Sequence, residues 1–205
     1  LGPDGDCFID FHIEVAKKAH LPRTLCVFRT DGLEPFTPLV ASEGFALMEW
    51  GLNWCITGYS HTWLTIHSAV LERNGRAVVL PAPPGSGKST LCAGLMLDGW
   101  RLLSDEMALL DPISGLLTPS PRPVSLKNQS IDVIHRLSPE TPMGPVARDT
   151  MKGTVAHLRP STQSVRRSGE SAPPAWIVFP RYEPGAAPSL TPRGKASAFM
   201  QLAEN

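Results

Sequence analysis

The sequence predicts an α/β protein built on a mixed β-sheet, and three features carry that expectation. An apolar run at residues 77–80 leads into Ala82-Pro83-Pro84-Gly85-Ser86-Gly87-Lys88-Ser89-Thr90, and a helical pattern over residues 91–97 follows. A strand, a glycine-bearing loop and a helix in that order gather backbone N–H groups and a helix N-terminus around phosphate. Asn74-Gly75 separates residues 77–80 from an earlier strand-like run at 63–71, and that dipeptide is a strong short-range hairpin signal. The strand feeding the loop therefore has an antiparallel neighbour. Such loops more often hang from parallel sheets, so the expected sheet is mixed.

The remaining elements follow in chain order. Residues 8–15 alternate with period two, as a half-buried strand does, and residues 25–28 read as a second strand. Over residues 42–59 the period changes: Phe45, Leu47, Met48, Leu52, Cys55 and Ile56 fall at helical spacing, with Ser42 as the N-cap. Trp50 and Trp54, four apart on that helix, read as packing residues rather than a stacking platform. Gly99 should end the helix after the phosphate loop, with a strand restarting at 100–103 and closing on Ser104-Asp105-Glu106. Residues 107–110 and 115–117 flank the turn sequence Asp111-Pro112-Ile113-Ser114, a further hairpin. Pro119, Pro121 and Pro123 keep the chain extended before residues 124–127, and residues 131–137 read as a short helix. Residues 161–174, rich in Ser, Arg and Pro, read as a mobile surface loop. Residues 176–179 read as a short buried strand, and 196–204 as helix.

Bulk properties exclude several classes. The 205 residues suit one core or one domain with an elaborated edge. We expect residues 1–60 to form N-terminal strands and a helix packed on a phosphate-loop domain at 61–205, truncated at its C-terminus. Lys plus Arg and Asp plus Glu balance at 19 each, without a basic stripe, which argues against nucleic acid as a partner. No apolar run approaches the roughly 20 residues that span a bilayer, and no signal-peptide pattern opens the chain, so a cytoplasmic protein without a membrane partner is expected. Cys7, Cys26, Cys55 and Cys92 lack metal-type spacing and read as reduced thiols.

The residues suited to chemistry cluster around the loop. Gly85 and Gly87 permit positive φ and close backbone approach, Lys88 can reach the β- and γ-phosphates of ATP, and Ser89 can offer its hydroxyl to Mg²⁺. The loop departs from its usual pattern at Ala82, where glycine is customary. Asp105 and Glu106 end a strand at the side of the sheet where ligands gather, and alternation would send them to opposite faces. His67 sits on the strand before the hairpin, where a sheet neighbour could bring it to Asp105. Arg122, Lys127, Lys152, Arg159 and Arg181 are the remaining basic candidates, with Lys152 beside Gly153 the most suggestive.

His67-Ser68-Ala69, the loop ending Gly85-Ser86-Gly87-Lys88-Ser89, and Trp100-Arg101-Leu102-Leu103-Ser104-Asp105-Glu106 together resemble the kinase domain of HPr kinase/phosphorylase. Residues 47–54, 81–91, 123–134, 152–160 and 176–181 look more closely like the group called HPr-kinase-related kinase A, and the likeness spans most of the chain. The resemblance implies a P-loop kinase fold of the phosphoenolpyruvate-carboxykinase-like type with a mixed β-sheet, using ATP and Mg²⁺ to phosphorylate a hydroxyl. It implies that Lys88 binds phosphate within the loop Pro84 to Thr90, that Ser89, Glu106 and Asp105 lie at the metal, that Asp105 is the base, and that His67 tunes it. It also implies homo-oligomeric assembly. Residues 122–126 lack the glutamate that completes the family's metal shell, and Pro84 replaces the usual serine of its loop.

The expected activity is thus ATP-dependent transfer of a γ-phosphoryl group to a hydroxyl on a protein, a peptide or a small molecule. Two alternatives use the same site: an ATP-binding regulatory module without transfer, and a phosphorylase or phosphatase in which Asp105 acts as general acid.

Overall fold

The computed structural model describes residues 11–20 and 23–204, and the chain divides into two compact units, 1–62 and 63–205, two residues beyond the expected boundary. In the first unit β1 (Ile13–His20) pairs antiparallel with β2 (Arg23–Thr30), which pairs with the short β3 (Leu39–Val40). Of the strand expected at 8–15, residues 8–10 lie outside the described residues, and the observed strand starts at Ile13. A 3-10 turn, Ala41–Glu43, leads into α1 (Gly44–Tyr59). Ser42 lies inside that turn rather than at a cap, and no side chain caps α1. Alternate residues Cys26 and Phe28 of β2 meet Leu47 and Cys55 of α1 in the unit's core. Trp54 is 43% exposed and packs edge-on against Phe36 and Tyr59. Gly51 is where α1 crosses Phe28: a Cβ there would fall within the phenyl ring.

The second unit is organised by one long strand. β4 (Leu64–Arg73) pairs antiparallel with β5 (Arg76–Pro81) through Asn74-Gly75, both in the left-handed region with φ of 56° and 76°. That geometry suits a two-residue hairpin matched to strand twist. On its other side β4 pairs first with β6 (Arg101–Ser104) and then with β7 (Met107–Leu110), both antiparallel. β6 and β7 are thus one line of chain broken at Asp105-Glu106. β8 (Leu117–Thr118) closes the hairpin with β7, and β12 (Pro174–Ile177) pairs parallel with β5, so the six-stranded sheet is mixed. Its two faces are buried by alternate residues: Ala69, Leu71, Val78, Leu80 and Leu102 on one, Val70, Val79, Leu103 and Ala108 on the other.

α2 (Lys88–Leu97) lies on the first of these faces, contributing Cys92, Ala93 and Met96. It ends as the sequence predicts: Gly99 has φ +91°, its N–H donates to Met96 O, and Trp100 N–H donates to Leu95 O. These are the paired bonds that satisfy the orphan carbonyls of a helix end. Beyond α2 the core is closed by a second, three-stranded antiparallel sheet, β10 (Ala147–Thr150), β11 (Gly153–Leu158) and β9 (Val124–Lys127), with α3 (Gln129–Leu137).

Two expectations are corrected at the C-terminal end. Residues 161–174 are not a mobile loop. α4 (Thr162–Arg166) forms, the fully buried Ser164 accepts from Leu102 N–H through Oγ at 2.8 Å, and Arg101 Nη1 donates to the carbonyls of Arg167 and Glu170, each at 2.9 Å. β12 exists where a strand was expected, but as the sheet's outer strand it leaves Trp176 and Ile177 about half exposed. α5 (Lys195–Ala203) follows and buries no residue.

Candidate functional site

The loop between β5 and α2 takes the shape its glycines allow. Gly85 has φ +85° and Gly87 φ +87°, a region in which a Cβ is strained. Gly87 is the N-cap of α2 without a side-chain hydrogen bond, so the first N–H groups of that helix are not capped by a side chain, an arrangement that suits an anion. Pro84 and Gly85 are exposed, Ser86, Ser89 and Thr90 half-buried, and Lys88 buried. The Ser86 hydroxyl is buried and makes no hydrogen bond. Ala82, where glycine is customary, is 3% exposed and sits in the core at the end of β5.

Lys88 turns inward. Its Nζ lies 3.1 Å from His67 Nε2, and that same ring nitrogen lies 3.1 Å from Glu106 Oε2. Nε2 can serve one bond at a time: unprotonated it accepts from Lys88, protonated it donates to Glu106. An incoming phosphate that drew Lys88 away would leave His67 to Glu106. The hydrogen bond of His67 thus goes to Glu106, where the sequence suggested Asp105.

Asp105 is 4% exposed. Its Oδ2 accepts from Ser89 Oγ at 3.3 Å and from Ser125 N–H at 3.0 Å. Its Oδ1 is buried and makes no hydrogen bond, while the Cys92 thiol lies close by, pushed well above the ordinary thiol range by burial first and Asp105 next. Sending the acids to opposite faces would have been the outcome of an unbroken strand. The chain bends at Asp105-Glu106, while the pairing with β4 stays in step on either side, from Val70 opposite Ser104 to His67 opposite Met107, and both carboxylates come near Lys88.

The two carboxyls are driven apart in acidity. Burial, then the Glu106 charge, raise Asp105 to about 6 against the help of Lys88, Ser125 and Ser89. Burial would also raise Glu106, but the His67 hydrogen bond and the charges of Lys88 and Lys127 outweigh it and hold it at about 2. One acid that stays ionised beside one that exchanges a proton near neutrality is the division of labour that acid–base chemistry uses.

Among the described residues no group of three or more His, Cys, Asp and Glu could hold a metal ion. A magnesium ion shared with nucleotide phosphates needs less, one or two carboxylates with a hydroxyl, phosphate oxygens and waters. The orphaned Oδ1 of Asp105, the adjacent Ser89 hydroxyl and the ionised Glu106 fit that partial shell.

Several contributors carry no signal in the sequence. Ser125 and His157 face each other across β9 and β11, brought near Asp105 by register alone. His157 is 4% exposed, and burial lowers its pKa to about 4, so it is neutral at physiological pH. Tyr182 N–H donates to Ser86 O at 3.0 Å, and its Cβ lies 3.1 Å from where a Cβ on Gly87 would stand, so the chain after β12 crosses the loop between β5 and α2. Of the other basic candidates, Lys127 and Lys152 sit on the second sheet and at its hairpin turn, while Arg159 is exposed and Arg181 pairs with Glu183 in solvent.

No protein-family model, no curated protein and no solved structure matches this chain. The coarse class, mixed α/β with a mixed sheet, stands on the architecture itself. Among the described residues no helix is long and apolar enough to cross a membrane.

Proposed function

We propose that this chain is an ATP-dependent phosphotransferase with a P-loop kinase fold, acting on a hydroxyl acceptor. The observation that carries the reading is the convergence of Lys88, Asp105 and Glu106 at an uncapped helix N-terminus, with Asp105 Oδ1 left unbonded. A nucleotide's β- and γ-phosphates would lie against the backbone N–H groups of residues 85–89, with Lys88 released from His67 to reach them. The acceptor oxygen forms a bond to the γ-phosphorus as the bond to the β,γ-bridging oxygen breaks. ADP departs, and the hydroxyl proton passes to Asp105. Magnesium held by Ser89, Glu106 and Asp105 would neutralise the charge on the phosphates. His67 keeps Glu106 ionised and in place.

The test is nucleotide binding and ATP consumption by the purified chain with hydroxyl acceptors supplied. Lys88→Ala removes a charged hydrogen bond worth about 1.5–3 kcal/mol, so Mg·ATP affinity should fall roughly tenfold to a hundredfold. Asp105→Asn should abolish transfer and spare more of the binding. Unchanged affinity in Lys88→Ala would overturn the site. Binding without transfer to any acceptor class would move the reading to a regulatory ATP-binding module.

A further inference from the structure

Resting on that phosphotransferase reading, we infer that the face of the β9–β11 sheet turned away from the hydrophobic core is an acceptor-side anion subsite, so that the acceptor carries a phosphate or carboxylate near its hydroxyl. The register fixes which residues share this face. Val124, Leu126 and Leu158 point into the hydrophobic core, so Ser125 and Lys127 on β9 and His157 on β11 point the other way, with Ser125 directly opposite His157. Ser125 N–H already donates to Asp105, which places the face beside the expected base.

Three features suit the face to an anion. Ser125 is 7% exposed and its Oγ is buried without a hydrogen bond, a donor that burial leaves in want of an acceptor. Lys127 is half-buried and close enough to act on both Glu106 and His157. Lys152, at the turn between β10 and β11, lies within electrostatic reach of both Lys127 and Glu106.

The probe is inorganic phosphate, titrated calorimetrically into protein saturated with Mg²⁺ and a non-transferable ATP analogue that fills the phosphate loop. We expect phosphate to bind to the loaded protein. Lys127→Met should weaken phosphate about tenfold or more while changing analogue affinity less than about threefold, and Lys127→Arg should restore most of the loss. Circular dichroism of both variants checks the fold, and Ser125→Ala, which removes only the buried hydroxyl, should weaken phosphate severalfold on its own. Absence of phosphate binding to the loaded protein, or equal binding in wild type and Lys127→Met, overturns the subsite and leaves the phosphotransferase reading intact. Failure of the analogue itself to bind overturns that reading, and the subsite with it.

Discussion

Replacing Asp105 by Asn should stabilise the metal-free protein at neutral pH. Asp105 is 4% exposed and its folded-state pKa stands at about 6, against an ordinary value of 3.8. Below about pH 4 the carboxyl is protonated in both folded and unfolded chains and costs nothing. As pH rises from 4 to 6 the unfolded chain releases the proton and the folded one retains it, so stability is lost through this window and the full penalty is present above it. Two pKa units at about 1.36 kcal/mol each give roughly 3 kcal/mol. Asparagine with its amide oxygen in the Oδ2 position keeps the acceptor for both Ser125 N–H and Ser89 Oγ–H, so most of that difference should survive as a gain of about 2–3 kcal/mol at pH 7. The assay is urea unfolding in chelator at pH 4 and pH 7. A variant no more stable than wild type at pH 7, or a gain of equal size at both pH values, would refute the reasoning. Added Mg·ATP should narrow the gap by the amount its affinity for the variant falls short of that for the wild type, since a ligand at a hundred times its Kd stabilises its protein by about 2.7 kcal/mol.

Two further substitutions test the scaffold. Arg101→Met leaves the 3%-exposed Glu72 with the Gly75 N–H and the longer Arg167 contact and removes the donor to the Arg167 and Glu170 carbonyls, so unfolding should be easier by about 3–5 kcal/mol, read by thermal denaturation. Because the Glu72 pKa is lowered, the pair's contribution is present above the ordinary carboxylate range and should fade as pH falls below it. Gly51→Ala drives a methyl into the Phe28 ring and should cost about 1–3 kcal/mol, with the loss confined to near-ultraviolet and hydrogen-exchange signals of residues 11–62.

What the sequence revealed and what it hid divide along chain distance. The Asn74-Gly75 hairpin, the positive φ of Gly85, Gly87 and Gly99, and the Schellman end of α2 are decided within a few residues, and each reads directly from residue type. Lys88, Ser89, Asp105 and Glu106 were legible for the same reason. Ser125, His157 and Tyr182 reach the site through strand register and a chain crossing, which no local pattern records. The segment 161–174 misled because its composition is that of a loop, while its order comes from Arg101 and Leu102, some sixty residues away. β12 misled in the opposite sense: Trp176 and Ile177 suit any strand, and only the strand order says that theirs is at the edge.

The bend at Asp105-Glu106 ties these observations together. Had β6 continued into β7 without it, alternation would have put one carboxylate on the α2 face and the other on the face lined by Val70, Leu103 and Ala108, an apolar environment hostile to charge. The bend brings both to α2's N-terminus at the cost of placing two like charges together, and Lys88, His67 and Lys127 offset that cost at Glu106 while Asp105 bears the remainder in its raised pKa. A fold selected for stability alone would bury one acid or neither there. Retaining both beside a buried lysine and an uncapped helix makes sense if cationic and anionic ligands arrive together, which is how a nucleotide arrives with its metal.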